Sequence, residues 1–339
     1  METITDTGLD HRRIEQLIFG TIKSKLLLCA VKLNVFDLLD TPANSENVAA
    51  TLKTHPDNTR LMLNGLTACN LVRYKDGKYE NTGEARAFLS SKSTACITGW
   101  LAQAARMFEP ILDNLETLVK NGPMPPGTDT HMNSEAMCEF YTHAHAQTEL
   151  AGVAAKTAGI IRHLPEFSNM KRMLDLGGGP GINSVAIVQA HDTLESVVFD
   201  RASVVAIARG YIERFGCTGR ITTLSGDYTR DDPGKGFDLV LASDTLYYQG
   251  GELERITDRV YNALNPGGVL VGIHGVVTKD RTGPGNMVLG MLPDALMAQG
   301  ELPCEGFLAP ALLRAGFKQV QTRKVFMVSN EMEVDIARK

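Results

Sequence analysis

The segment Met173-Leu174-Asp175-Leu176-Gly177-Gly178-Gly179-Pro180-Gly181 decides the fold class. A short apolar run, of a length that suits a buried strand, enters a turn holding four glycines. A helix is expected next, since Val185, Ile187 and Val188 keep the following stretch apolar. Glycines at such a turn permit positive φ and let the backbone approach a ligand closely. The helix N-terminus behind them presents free N–H groups. From Lys171 onward short apolar strands alternate with helices, which predicts an α/β domain built on a parallel sheet in the C-terminal half.

Two ligand classes compete for a turn of this kind. A nicotinamide site wants Gly-x-Gly-x-x-Gly, and counted from Gly177 the last position is Ile182 rather than glycine or alanine. The spacing is instead Asp-x-Gly-x-Gly-x-Gly, over Asp175, Gly177, Gly179 and Gly181. An acid two residues ahead of the first glycine suits a ligand with an ammonium group and no pyrophosphate, and S-adenosylmethionine is such a ligand. Val197-Val198-Phe199-Asp200 then reads as a second strand ending in an acid, 25 residues beyond Asp175. A carboxylate there can accept both ribose hydroxyls, with Arg201 beside it in the same site. Ser225-Gly226-Asp227-Tyr228 ends a third strand, where Asp227 can accept from an adenine amino group and Tyr228 can stack on the ring. Phe237 to Ser243 reads as the fourth strand, with Ser243 at the ligand end and Asp244 next to it. Ala263 to Leu270 reads as a helix end, an Asn-Pro-Gly-Gly turn and a fifth strand.

The 339 residues exceed the needs of one typical domain. We expect a first domain over residues 1–95, connecting helices over 96–168 that line an acceptor pocket, and a ligand-binding domain over 169–339. Residues 12–40 read as two helices, with Ile14, Leu17, Ile18 and Ile22 at helical spacing. They are too apolar for a lone surface helix and call for burial against another element or chain. Asn44 or Ser45 can cap a helix running to about Lys53, and Asp57 can cap the next. Asp76-Gly77 between two alternating segments is a two-residue hairpin signal. Helix, helix, hairpin is the winged-helix order, which often binds DNA. Residues 1–90 hold 11 Lys/Arg against 11 Asp/Glu, however, and the second helix carries one cation, Arg60. A groove reader needs several phosphate contacts, so dimerisation is favoured over nucleic-acid binding. Residues 96–165 look helical, with a Pro/Gly break at 121–127. The six cysteines show no CxxC spacing and read as mostly buried thiols of a reducing compartment. The polar start Met1 to His11 and the lack of any apolar run near roughly 20 residues point to a cytoplasmic protein without membrane contact.

These motifs together resemble a known family: the bacterial and plant small-molecule O-methyltransferases of the acetylserotonin and caffeate type. The resemblance covers nearly the whole length. It rests on Leu26 to Leu39, the hairpin, DLGGGPG at 175–181, FD at 199–200, GDY at 226–228, LNPGG at 264–268, the Gly316-Phe317 step and the ending Met332 to Lys339. It implies a class I S-adenosylmethionine-dependent methyltransferase: an α/β, Rossmann-like sheet of seven strands with the last antiparallel, and an N-terminal, mainly helical winged-helix dimerisation domain. It also implies an intertwined homodimer, in which the N-terminal domain helps close the partner's active site around a small-molecule acceptor. One position departs from the family pattern. Members that deprotonate phenols carry His-Asp-Trp after the fourth strand. Aligned back from Pro266-Gly267-Gly268, this chain has Leu246-Tyr247-Tyr248 there.

The usual base is therefore replaced, and other polar groups are candidates for catalysis. His143 and His145 lie in the helical region that lines the acceptor pocket in the resembled family. Spaced by two, they do not share a helix face, which argues against a joint metal site. Tyr247 and Tyr248 follow the fourth strand, where ligands bind in open α/β sheets. His274 ends the fifth strand and either faces the pocket or closes a strand edge. His131, Met132, Met137 and Cys138 resemble a soft-ligand cluster, but methionine at helical spacing more often packs a core, so no metal site is assigned. Met287, Met291, Leu292 and Met297 are candidates for an apolar acceptor wall. Carbon or nitrogen as the methylated atom, a hydroxylase-, decarboxylase- or pericyclase-like relative, a DNA-binding regulator and a nicotinamide oxidoreductase are the alternatives.

Overall fold

The computed structural model describes residues 8–123, 135–246, 252–297 and 303–339, with the backbone alone for 135–137. The chain forms two compact units, residues 1–105 and 106–339.

The first unit runs α1 (Arg12–Lys32), α2 (Val35–Leu38), α3 (Ser45–Leu52), α4 (Pro56–Ala68), β1 (Val72–Lys75), β2 (Lys78–Asn81) and α5 (Gly83–Phe88). Helix, helix and hairpin stand in the order the sequence predicts. Asn44 caps α3 by accepting the Asn47 N–H at 2.9 Å. Pro56 opens α4 one residue before the expected cap Asp57, since its missing N–H costs nothing at a first helical position. Asp76 and Gly77 both take positive φ, at 49° and 74°, as a two-residue hairpin turn with right-handed strand twist requires. Val35, Phe36, Leu39, Leu63 and Leu66 close a dry core, each at most 1 % exposed. The first turns of α1 behave otherwise: Ile14, Leu17, Ile18 and Ile22 project as a stripe 59–73 % exposed.

The second unit begins within α6 (Thr98–Asp113) and continues through α7 (Leu115–Asn121) and α8 (Glu135–Thr148). A π-helical turn over Glu149–Val153 leads into α9 (Ala154–Arg162). Then come β3 (Arg172–Leu176), α10 (Ile182–Gln189), β4 (Glu195–Asp200), α11 (Ala202–Arg214), β5 (Ile221–Ser225), β6 (Phe237–Ser243), α12 (Leu253–Ala263) and β7 (Leu264–His274). The chain ends with α13 (Gly285–Leu296), α14 (Leu308–Ala315), β8 (Gln319–Phe326) and β9 (Glu331–Arg338).

Seven strands form one sheet in the order β5-β4-β3-β6-β7-β9-β8. β9, the last in sequence, slots between β7 and β8 and runs antiparallel to both. Strand periodicity divides the core. Met173, Leu239, Leu241, Val269, Val271 and Ile273 face α9 and α10, while Leu174, Leu176, Val240 and Leu270 face α12 and α14. The Asn-Pro-Gly-Gly turn does not precede the fifth strand as expected. It is absorbed as an irregularity in β7, whose pairing with β6 jumps from Phe237–Leu264 to Leu239–Val269, with Gly267 at φ 78°. The sheet order reverses direction at β3, between β4 and β6, and ligands of open α/β sheets bind outside the strand ends at that point.

Candidate active site

The turn between β3 and α10 rests on internal bonds. Gly177, Gly179 and Gly181 all adopt positive φ. A Cβ added to Gly177 would lie 2.7 Å from Cγ2 of Thr245, so this glycine is required by space as well as by conformation. Thr245 is buried beneath it and donates to the Leu176 carbonyl at 3.0 Å. Asp175 is 1 % exposed, and its carboxylate accepts from the Ser184 hydroxyl at 2.6 Å. It thus ties the strand end to the first turn of α10.

Around the turn opens a cavity of about 460 Å³. Gly177 and Gly179 form its floor, Asp200, Arg201 and Val204 one flank, and Asp227, Tyr228 and Thr229 the next. Asp244 and Thr245 lie at the end of β6, and Cys138, Tyr141, Thr142 and His145 of α8 complete the wall. The Asp200 carboxylate accepts one N–H per oxygen, from Gly179 at 2.9 Å and from Arg201 at 2.7 Å. Each oxygen keeps a lone pair for a further donor, which is the arrangement a vicinal diol needs. Asp227 is braced by the Thr229 N–H at 2.9 Å and by the Thr229 hydroxyl.

The structure therefore brings Gly177, Gly179, Asp200, Arg201, Asp227, Tyr228 and His145 to one cavity. It does not bring Asp175, Gly181, Ser243 or His143 to that wall. Asp175 is a support beneath the turn and not a ligand of an ammonium group, because its charge is enclosed and bonded to Ser184. Gly181 is the left-handed N-cap of α10, where an added Cβ would press on Val198. His143 turns away to Tyr211, with Nδ1 3.0 Å from the phenol oxygen. His274 is 1 % exposed, and its strand lies between β6 and β9, so it neither faces the cavity nor closes an edge. Met287, Met291, Leu292 and Met297 are half-buried on and just after α13, outside this cavity. Tyr247, Tyr248, His131 and Met132 lie outside the described residues, as does the side chain of Met137. Leu246, at the position of the family histidine, is 2 % exposed and packs in the core under α12.

One contributor escaped the sequence reading. Glu149, in the π-helical turn, accepts from the Asn183 N–H at 3.2 Å. Burial, and then the charges of Asp175 and Asp244, hold its carboxyl well above the usual range. Burial also raises Asp200, against the N–H bonds from Arg201 and Gly179. Burial pushes Asp175 up to about 6 against the Ser184 bond, and Asp244 up to about 6 against the charge of His274 and an N–H from Gly275. His145 is lowered by burial, partly offset by Asp200. Asp200, Asp227 and Asp244 line the cavity, with Asp175 buried beneath its floor and Glu149 behind the first turn of α10. The field suits a cationic ligand and disfavours a pyrophosphate, and Ile182, 3 % exposed, packs with Ala146 and Ala154 at the position where a dinucleotide motif has glycine or alanine.

The sequence profile of the O-methyltransferase domain matches residues 130–318, more than half of the chain. The chain belongs to the O-methyltransferase domain family. The O-methyltransferase dimerisation domain matches residues 15–91. The 3-hydroxy-5-methyl-1-naphthoate 3-O-methyltransferase of Streptomyces sahachiroi is 27 % identical over 275 residues, 80 % of this chain and 79 % of that protein. The L-tyrosine C(3)-methyltransferase of Streptomyces lavendulae is 25 % identical over 338 residues, covering 91 % and 87 %. Human N-acetylserotonin methyltransferase in complex with S-adenosylmethionine superposes with a TM-score of 0.81 at 23 % identity, covering 100 % and 99 % of the two chains. This O-methyltransferase takes S-adenosylmethionine as its methyl donor. The residues fit that ligand: a floor without side chains, Asp200 with free lone pairs for a diol, and Tyr228 for an adenine face.

Asp200→Ala removes the carboxylate that leaves lone pairs toward the cavity, and Gly177→Val drives a side chain into Thr245. Each should weaken S-adenosylhomocysteine binding more than tenfold by calorimetry, a loss above about 1.4 kcal/mol. Unchanged affinity in both would contradict the assigned site. A pH dependence follows from Asp244. With its folded pKa raised to about 6, it is protonated below that pH and ionised above it, and a cationic ligand favours the ionised form. Affinity for S-adenosylmethionine should rise between pH 5 and 7 and then level, and Asp244→Asn should flatten the titration.

Proposed function

We propose that this O-methyltransferase methylates a hydroxyl group of a small aromatic or natural-product-like acceptor, as a cytoplasmic homodimer. The observation that carries the chemistry is the acidic cavity over the glycine turn, closed on its far side by Tyr141, Thr142 and His145 of α8. Bound S-adenosylmethionine supplies an activated methyl group with a good leaving group. The protein's work is then to hold donor and acceptor in line and to keep water out. Asp200 fixes the sugar, Tyr228 the adenine plane, and α8 presents the side chains that meet an acceptor.

The deprotonation step has no partner at the usual place, since Leu246 is apolar and buried. Among the described histidines only His145 lines the cavity. Its lowered pKa keeps the ring neutral near pH 7, free to accept a proton. The naphthoate 3-O-methyltransferase relative supports an aromatic hydroxyl as acceptor. The dimerisation-domain match and the exposed α1 stripe of Ile14, Leu17, Ile18 and Ile22 support a homodimer. Six free cysteines support a reducing, cytoplasmic setting.

Incubated with S-adenosylmethionine and a panel of phenolic and naphthoic acceptors, the enzyme should release S-adenosylhomocysteine and an O-methyl product identified by its methyl proton shift. A C-methyl or N-methyl product would overturn the hydroxyl assignment. His145→Ala should lower turnover by about 10- to 100-fold, in the lower range of general-base effects. His143→Ala, bonded to Tyr211 instead, should leave it nearly unchanged. Light scattering should report a dimer, and Ile18→Asp should yield monomers; a wild-type monomer would refute the assembly.

A further inference from the structure

Behind the active site, on the far side of β7, three side chains with metal-ligating atoms converge outside the methyl-transfer machinery. His274 ends β7 and pairs across the sheet with Glu333, while Gly272 pairs with Asp335. Residues two apart on a strand share a face, so adjacent antiparallel strands place His274, Glu333 and Asp335 together. Gly272 contributes no side chain to that face. A Cβ there would press on Cδ2 of Leu308 at 3.0 Å and meet the His274 ring at ordinary contact distance, 3.6 Å from Cε1.

We propose that His274, Glu333 and Asp335 bind one divalent first-row transition-metal ion. Their ligand atoms all lie within 4.8 Å of one another, and the three residues are 1 %, 2 % and 0 % exposed. Nε2 of His274 stands 3.2 Å from Oδ2 of Asp335 and 3.6 Å from Oε1 of Glu333. Two atoms bound to one ion at about 2.0–2.2 Å, at tetrahedral or octahedral angles, are separated by about 3.0–3.5 Å. Nε2 and Oδ2 are both buried and stand at ion-pair distance, but neither makes a well-aligned hydrogen bond. Buried polar atoms left in that state are costly unless something joins them.

Charge points the same way. Two buried carboxylates face one imidazole, and protonating the ring offsets only one of them. Lys324 is engaged by Glu305 at 2.9 Å, lies 4.0 Å from Glu331 and reaches Glu333 only through its field. A dication with neutral imidazole balances the set. The surroundings also resemble those of built metal sites, where outer partners aim the ligands. Both oxygens of Glu333 accept the Gly306 N–H, at 2.9 and 3.1 Å. The Thr322 hydroxyl donates to Oδ1 of Asp335, leaving Oδ2 for the ion. Phe307 packs edge-on against the His274 ring with centroids 4.8 Å apart. One nitrogen and two carboxylates suit Zn²⁺, Mn²⁺ or Co²⁺ better than a soft ion. The ion would fasten the antiparallel strand to the rest of the sheet.

The test uses full-length wild-type protein, stripped with chelator and dialysed. Zn²⁺ should be taken up at one equivalent per chain by plasma mass spectrometry, with a rise in Tm. Asp335→Asn and His274→Gln should each abolish that uptake, and uptake retained in both would place the ion elsewhere. Should those variants fail to fold, the wild type still decides. Anomalous diffraction from a Zn²⁺-soaked crystal should show one peak at about 2.0–2.2 Å from Nε2 of His274. No stoichiometric uptake, or a peak at another position only, overturns the proposal, and neither result bears on S-adenosylhomocysteine binding in the cavity.

Discussion

The hydrogen bond from Ser184 to the buried Asp175 carboxylate, 2.6 Å long, is the contact on which the site depends. β3 lies at the centre of the parallel half of the sheet, between β4 and β6, so an acid in it has no water to solvate it. Ser184, in the first turn of α10, satisfies it and joins Ser196 of β4 at 2.8 Å. Strand end, helix start and neighbouring strand are thereby fixed to one another. Only then can three glycines with positive φ hold a turn whose open floor leaves room for a ligand. Thr245 completes the support from below by donating to Leu176 O, which ties β6 to the same turn.

The support carries an electrostatic cost that the ligand relieves. Glu149, Asp175, Asp200 and Asp244 all have pKa values raised by burial. A carboxyl whose folded pKa exceeds its unfolded value favours folding while protonated, and that contribution is lost as pH rises through the folded value. For Asp175 and Asp244 the loss falls between the ordinary carboxylate range and about pH 6. Of these four, Asp200 and Asp244 line the cavity, where a cationic ligand favours their ionised forms.

Local features were legible in the sequence and long-range ones were not. Asp76-Gly77 specifies its hairpin because both residues tolerate positive φ within a two-residue turn, and no distant partner is needed. Asp200 was legible because the end of a parallel strand fixes where its last side chain points. Asp175 lies between Leu174 and Leu176 in a doubly covered strand, and that burial demands the internal partner that Ser184 supplies. The divergence of His143 toward Tyr211 and His145 toward the cavity follows from helical spacing, but which of the two faces the ligand is set by where α11 packs. Glu149 sits in a π-helical turn that no sequence periodicity announces. His274 and its acidic partners lie 59 and 61 residues apart, and only the strand register between β7 and β9 unites them.

That register also links the two polar centres of the second unit. Asp244 takes a left-handed conformation, φ 51°, uncommon for a residue with a side chain. It is held there because its N–H donates to the Ile273 carbonyl at 2.8 Å, at the end of β7. The next residue, His274, faces Glu333 and Asp335 on β9. The rim of the cavity is thus anchored to the last step of a strand whose end is fixed by the antiparallel strand behind it. An antiparallel strand inserted beside a parallel one needs no crossover helix to reach its place. Its side chains instead brace β7 from the rear, so the strand placed last in the sequence helps set the conformation of a residue at the active site.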